Sequence, residues 1–147
     1  MGIVLKQSFK KWELVVVDDF STDKSKEILK DMKDRRIRKF FLKKHHGRTK
    51  ALNHALKQVR GKYIAILDSD DYSSINRFYL QEKFLNENHE INLVGTRTRL
   101  IDENNKKIGL FPKLKELKHL NREIVYKNII PHSSIMFRKN YLKKTGI

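Results

Sequence analysis

Lys62-Tyr-Ile-Ala-Ile-Leu-Asp-Ser-Asp-Asp71 is the stretch of this sequence that decides its fold. An apolar run, Tyr63 to Leu67, ends abruptly in three carboxylates, those of Asp68, Asp70 and Asp71. A short apolar run with a glycine before it and acids after it is typical of a buried strand. Open α/β sheets bind ligands beyond the carboxyl ends of such strands, so the pattern predicts a site at this edge.

The three carboxylates also have a metal-binding interpretation. Like charges at Asp68, Asp70 and Asp71 repel one another, and a divalent cation would relieve the repulsion. Oxygen ligands favour Mg²⁺ or Mn²⁺, and such ions usually share their coordination shell with substrate phosphates. The alternative is a polar turn in which Asp71 or Ser73 caps the next helix.

Length and composition indicate one globular domain. The chain has 147 residues and no cysteine, which excludes a disulfide framework and a cysteine-based zinc site. No apolar run reaches the roughly 20 residues that span a bilayer, and no secretory signal is visible at Met1, so the expected compartment is the cytoplasm. The net charge of +16 favours anionic partners. The lysines form no continuous stripe, however, which argues against nucleic acid as the main ligand.

Strand-like and helix-like patterns alternate along the first half of the chain. Trp12 to Val17 is a β-branched apolar run that ends in Asp18 and Asp19, and Ile37 to Leu42 is another strand-like run. Apolar residues between Thr49 and Val59 have helical spacing. The alternation predicts a doubly wound α/β fold with both acidic clusters at one edge of the sheet.

Two more helices are expected, one between these two strand-like runs and one after the acidic stretch of residues 68–71. Asp23 is a candidate N-cap for a helix through Met32, with Ile28, Leu29 and Met32 on its inner face. The second helix runs from Ile75 to Leu85. Its inward residues are expected to be Phe78, Leu85 and either Leu80 or Phe84.

The second half of the chain is expected to contain a hairpin, basic helices and a last strand. The pattern predicts extended structure over 91–101, a return strand over 107–111, one or two basic helices over 114–126, and a strand over 132–137.

These motifs, in this order and spacing, resemble glycosyltransferase family 2, the inverting nucleotide-sugar transferases of the GT-A fold. The resemblance extends over nearly the whole chain and rests on four features. They are Gln7-Ser8-Phe9 with the acidic turn that follows Trp12–Val17, the Gly47–Asn53 segment leading to the Asp68-Ser69-Asp70 "DxD" motif, Arg77 in the next helix, and His132-Ser-Ser-Ile-Met-Phe-Arg138.

The resemblance assigns roles to individual residues. Asp19 matches the acid that hydrogen-bonds the nucleotide base, and Asp18 beside it would hold the turn. Arg48 matches a basic residue near the base and diphosphate, and Asp68 matches an acid near the ribose. Asp70 matches the ligand of a Mn²⁺ or Mg²⁺ ion that bridges both phosphates. An acid at the base favours a uracil-type edge, hence a UDP-sugar donor.

The acceptor side is less defined by the resemblance. It implies transfer with inversion to a polysaccharide, lipid-linked or protein-linked acceptor, with His132 as a candidate acceptor-side residue. Residues 114–126 carry basic charge that would suit an anionic surface at the cytoplasmic face of a membrane, and the alternative is that their apolar face packs on the sheet.

The sequence departs from the family pattern at both ends. The family's first strand, central in its sheet, would lie before Met1, and the acidic motif that supplies the general base would lie beyond Ile147. We therefore expect residues 1–147 to form a single partial GT-A domain, with a mixed, mainly parallel sheet flanked by helices. Little or no transfer is expected from this chain alone, and unpaired strand edges favour homo-oligomers.

Two other functions compete with this interpretation. Asp68 and Asp70 superficially resemble the motif of aspartyl-nucleophile phosphatases, but Tyr72 stands where those enzymes have Thr or Val. A nucleotidyltransferase or phosphohydrolase would also leave the Gly47–Asn53 pattern unexplained. A basic nucleic-acid-binding module would need no metal, and its binding would fall steeply with salt.

Overall fold

The computed structural model describes residues 2–113 and 129–144, and the predicted basic helices over 114–126 lie outside these ranges. The described helices are α1 (Gly2–Leu5), α2 (Ser25–Asp31), α3 (Arg48–Gln58), α4 (Arg77–Glu87) and α5 (Lys139–Lys144). The described strands are β1 (Leu14–Asp18), β2 (Ile37–Phe41), β3 (Tyr63–Ala65), β4 (Leu93–Val94), β5 (Thr98–Ile101), β6 (Lys107–Phe111) and β7 (Met136–Arg138). No helix in these two ranges is long and apolar enough to cross a membrane.

The strands form three small sheets. β1 pairs in parallel with β2, as the alternating first half of the sequence predicts. β7 lies between β3 and β4 and is antiparallel to both, and β5 and β6 form the predicted hairpin. The mixed α/β fold is thus confirmed. In the described ranges, however, β1 and β2 are the one parallel pair, so the sheet is less parallel than expected.

A gap between β1 and β3 explains why the sheet has fewer parallel pairs than expected. A cavity of about 540 Å³ lies there, lined by the consecutive residues 14–17 of β1, by residues 63–67 in and after β3, and by α3. Consecutive strand residues point to opposite faces of a sheet, so a cavity that touches all of them lies beside the strand edge. No described strand occupies this position.

The core packs helices α1 and α4 against the three-stranded sheet. Its buried centre consists of Val4, Phe78, Leu85 and Met136. Gln7 is completely buried beside this cluster, where its side chain donates to the Ser74 carbonyl and accepts from the Phe78 amide. The buried Gln7 side chain thus anchors the start of α4, which follows the acidic turn of residues 68–71.

Some predicted helix faces are wrong. Leu80 and Phe84 are both exposed, because Arg77 and Gln81 take the inward positions of α4 and bond to backbone carbonyls there. Ile28 is exposed on α2, where Leu29 is the buried residue.

The predicted N-cap of α2 is also displaced. The helix begins at Ser25 and Lys24 is the cap residue, so Asp23 lies one position earlier than expected. Its carboxylate accepts a 2.9 Å hydrogen bond from the Ser25 amide, which closes a short turn instead of a cap.

Two predicted strands are shorter than expected. The extended segment 91–101 divides into β4 and β5, which belong to different sheets. The segment 132–137 begins with a 3-10 turn, His132–Ser134, before β7 starts. Ser134 explains both breaks, because its hydroxyl donates to the Pro131 carbonyl and accepts from the Thr96 amide.

Candidate functional site

The Asp68 carboxylate joins three segments beyond the carboxyl end of β3. Nη2 of Arg48, at the start of α3, lies 3.0 Å from Oδ1 of Asp68. The Ser133 hydroxyl donates to Oδ2 at 2.8 Å and accepts from the Asp68 amide at 3.1 Å. Ser133 belongs to the 3-10 turn before β7. The Asp68 side chain therefore links the end of β3, the start of α3 and this turn.

His132 completes this cluster. Its Nδ1 lies 3.3 Å from Nη2 of Arg48 and 3.7 Å from Oδ2 of Asp68. A guanidinium only donates, so the contact with Arg48 requires Nδ1 as acceptor and the proton on Nε2. The candidate acceptor-side residue therefore lies against the same carboxylate as the predicted diphosphate-side arginine.

Asp19, at the carboxyl end of β1, holds the loop that leads into α3. Its carboxylate accepts from the amides of His46 at 2.9 Å and Gly47 at 2.7 Å, and Nδ1 of His45 lies 3.0 Å away. Burial would raise the pKa of Asp19, but these amide bonds and the neighbouring histidines together lower it below its ordinary value. Arg48 follows Gly47 directly, so Asp19 helps to place Arg48.

Gly47 has a backbone conformation that this loop requires. Its φ is 88° and its ψ is 160°, in a region that is essentially restricted to glycine. In this conformation the Gly47 amide points at Asp19 while its carbonyl accepts the first hydrogen bond of α3 from Ala51.

Asp18 serves the turn that follows β1. Its side chain is buried, and Oδ2 accepts a 3.3 Å hydrogen bond from the Ser21 amide. The turn also places Phe20 at a φ of 66°. This arrangement agrees with a turn-holding role for Asp18, and a nucleotide contact by its carboxylate stays a prediction.

Asp70 lies on the exposed turn after Asp68, which a 3.3 Å bond from the Asp71 amide to the Asp68 carbonyl closes. Within residues 2–113 and 129–144, Asp70 makes no hydrogen bond or ion pair, and no three acidic or histidine side chains converge on one point. A free carboxylate on an exposed turn suits a metal that takes most of its ligands from bound phosphates and water. It does not suit an all-protein metal cage.

The structure thus brings Asp19, Arg48, Asp68 and His132 to one edge, with Asp70 on the adjoining turn. Sequence reasoning missed the roles of Ser133 and His45. Ser133 stands inside a motif that the resemblance includes, and its position directly after His132 was the available signal. His45 is an exposed residue of the loop before α3, and its ring also faces Asp19.

Comparison with known proteins identifies the family. Residues 3–146 match the family model described as glycosyl transferase family 2. The chain belongs to glycosyl transferase family 2. It is 32% identical over 134 residues to an uncharacterised glycosyltransferase of Methanocaldococcus jannaschii, which covers 89% of this chain and 46% of that protein. It is 40% identical over 86 residues to TuaG of Bacillus subtilis, a putative teichuronic acid biosynthesis glycosyltransferase, covering 57% of this chain and 34% of TuaG.

A solved family structure has the same fold. The crystal structure of S. aureus TarS matches 99% of this chain with a TM-score of 0.71 and 28% identity, and the match covers 26% of the TarS chain. The chain therefore spans less than half the length of these three proteins. The likeness to TarS confirms the GT-A assignment of the mixed α/β fold.

Proposed function

We propose that this chain binds the donor of a family 2 glycosyltransferase, a nucleoside diphosphate sugar with UDP as the nucleotide. The observation that carries the proposal is the Arg48–Asp68 pair, which a hydroxyl and a histidine support at the carboxyl edge of β3. Arg48 directly follows the loop that Asp19 holds, and Asp68 directly precedes the turn that carries Asp70. A donor would extend along this edge.

Each side chain retains capacity for a ligand. Asp19 is 17% exposed, and its Oδ1, which accepts from the His46 amide, has a second lone pair that can accept an N–H from a base. Arg48 is 73% exposed and uses one nitrogen on Asp68, which leaves other N–H groups for a diphosphate. Asp68 is 37% exposed and can accept from ribose hydroxyls.

Asp70 is the residue that we propose for holding Mn²⁺ or Mg²⁺. When bound, such a cation would stabilise the negative charge that develops on the departing diphosphate. Arg48 offers positive charge to the same anion through its exposed guanidinium.

The proposal extends to the acceptor and to the catalytic base. The name of TuaG refers to teichuronic acid biosynthesis, which supports a polysaccharide of the cell envelope as acceptor. Transfer with inversion requires a base that deprotonates the acceptor hydroxyl, and we propose none of the site residues described above for that step.

Calorimetric titration with UDP tests this proposal. The wild-type chain, Asp70→Asn and Asp31→Asn are titrated with UDP in Mn²⁺ and again in EDTA. Asp31 is the matched control, because it is an exposed aspartate at the end of α2. We expect metal-dependent binding that Asp70→Asn abolishes and Asp31→Asn retains.

Other outcomes would contradict the donor site. Binding of UDP that ignores both the metal and Asp70 would remove the metal role. Metal-independent binding of single-stranded DNA that competes with UDP and falls steeply with salt would favour the nucleic-acid module. Release of phosphate from UDP would favour a phosphohydrolase.

A further inference from the structure

Arg77 is a buried cation beneath the acidic turn. It begins α4, and its side chain is 7% exposed. Its Nη2 donates to the carbonyl of Ile66 at 2.9 Å and to the carbonyl of Ile135 at 3.0 Å, while Nε donates to Oε1 of Gln81 at 3.0 Å. The function proposed above gives this side chain no role.

The two carbonyls belong to the two segments that meet at the site. Ile66 lies two residues before Asp68, and Ile135 lies two residues after Ser133. One guanidinium nitrogen therefore ties together the backbones whose side chains make the Asp68–Ser133 hydrogen bonds. Gln81 extends the tie by donating to the Ser134 carbonyl at 2.7 Å.

Burial of this charge is costly without a paired carboxylate. Within the described ranges no carboxylate forms a direct ion pair with Arg77, and desolvation lowers its pKa to about 10, although the charge of Asp71 acts in the opposite direction. An apolar residue in the same place would avoid the desolvation penalty. We therefore expect the buried guanidinium of Arg77 to have a role besides packing.

We propose that Arg77 is a positioning residue, which sets Asp68 and the Ser133 turn in the register that the donor nucleotide requires. The effect on Asp68 is a claim about this chain alone. The effect on the donor rests on the function proposed above.

Arg138, the last residue of β7, provides a matched control. It is also 7% exposed, and it also donates to backbone carbonyls, those of Ile91, Asn88 and Leu85. It pairs with Tyr63 at the opposite end of β3 from Asp68. It also donates a side-chain hydrogen bond to the Tyr63 hydroxyl. Arg138→Met therefore removes an equivalent buried guanidinium, and none of these hydrogen bonds reaches residues 66–68 or 133–135.

Amide hydrogen exchange measures the positioning directly. In Arg77→Met we expect the amides of Ile66 and Asp68, which bond to the Ile135 carbonyl and the Ser133 hydroxyl, to exchange at least tenfold faster than in the wild type. In Arg138→Met these two amides should keep their protection relative to the rest of the sheet. Arg77→Lys serves if Arg77→Met does not fold, because one ammonium cannot reproduce the planar fork of a guanidinium.

Calorimetry with UDP and Mn²⁺ then measures the consequence for the donor. Arg77→Lys should weaken UDP binding about tenfold, since losing a hydrogen bond to a charged group costs about a factor of ten in affinity or more. Arg138→Lys should change the UDP affinity less than threefold. Ser133→Ala closes a double-mutant cycle. If Arg77 acts through the Asp68–Ser133 pair, the double variant Arg77→Lys/Ser133→Ala will lose no more affinity than the weaker-binding single variant.

The outcomes separate this inference from the proposed function. Equal loss of protection at Asp68 in the Arg77 and Arg138 variants, or losses of affinity that multiply in the double variant, would overturn the positioning role. If Asp68 loses protection only in the Arg77 variants while the wild type fails to bind UDP, positioning stands and the donor assignment fails.

Discussion

At the scale of single residues, Arg48 is highly exposed and lies at the centre of the candidate site. Because exposed ion pairs contribute little to stability, Arg48→Ala should change the free energy of unfolding by less than about 1 kcal/mol. The same variant should weaken UDP binding about tenfold, because a diphosphate loses a charged donor. Thermal unfolding and calorimetry measure the two effects. Lys50→Ala, two residues along α3, is the control and should leave both unchanged.

Asp19 makes the loop of residues 45–47 sensitive to acid. Its folded-state pKa lies below the ordinary 3.8, so the ionised carboxylate stabilises the fold above the unfolded-state pKa. That contribution is lost as the pH falls through the folded-state value. NMR titration of the Asp19 carboxyl should give a midpoint below pH 3.8, and the amide shifts of His46 and Gly47 should follow it. A midpoint at or above 3.8 would show that the two amide bonds do not form in solution.

The sequence predicted which acids meet at this site but not how they are held. Asp19 and Asp68 each follow an apolar strand run, so the topology alone brings them to one edge. Ser133 and Gln81 could not be assigned roles in this way, since their partners come from segments more than 50 positions distant in the chain. Such bonds depend on how loops pack after folding, which local patterns do not encode.

At the scale of elements, the entry into α3 depends on one glycine. No atom lies within 4 Å of a Cβ built on Gly47, so Gly47→Ala meets no clash and tests backbone conformation alone. We expect it to cost about 1–3 kcal/mol of unfolding free energy, because φ of 88° with ψ of 160° is strained for any other residue. Chemical denaturation measures the cost.

Gly109→Ala is the comparison for this substitution. Gly109 lies in β6 without a positive φ, and its added Cβ would make an ordinary 3.8 Å contact with Leu100. This variant should be neutral or slightly stabilising. An equal cost at both glycines would contradict the assignment of strain to Gly47.

Helix α4 shows where apolar spacing in the sequence predicts the buried face of a helix and where it does not. Phe78 and Leu85 are buried as the apolar spacing predicts. The next inward positions belong to Arg77 and Gln81 because backbone carbonyls of two loops need donors there. An apolar pattern cannot reveal a buried face that is polar, so the prediction that either Leu80 or Phe84 faces inward is wrong.

At the scale of the whole molecule, the cavity between β1 and β3 leaves two strand edges that no described strand pairs. Unpaired edges are templates for association with other chains. We predict that the wild-type chain associates as its concentration rises and that Val16→Lys, in the middle of the β1 edge, reduces this association. Sedimentation velocity over a tenfold concentration range measures it.

Ile108→Lys is the control for this experiment. Ile108 is exposed on the β5–β6 hairpin, away from the cavity, so the variant adds the same charge elsewhere. If both variants reduce association equally, the added charge and not the β1 edge is responsible. The family resemblance, and not the residue pattern, led to the expectation of a missing central strand, which stays a prediction. The residue pattern also did not predict the division of residues 91–101 between two sheets, since Ser134 causes it from a distance.

The central claim is that the Asp19 loop, the Asp68–Asp70 turn and the His132–Ser133 turn form one nucleotide site. Amide NMR spectra recorded during titration with UDP and Mg²⁺ test it most directly. The account predicts shift changes concentrated at residues 45–48, 68–71 and 132–133, and their loss in Asp70→Asn. Changes centred on the basic hairpin of β5 and β6, or spread over the surface lysines and insensitive to Asp70, would contradict it.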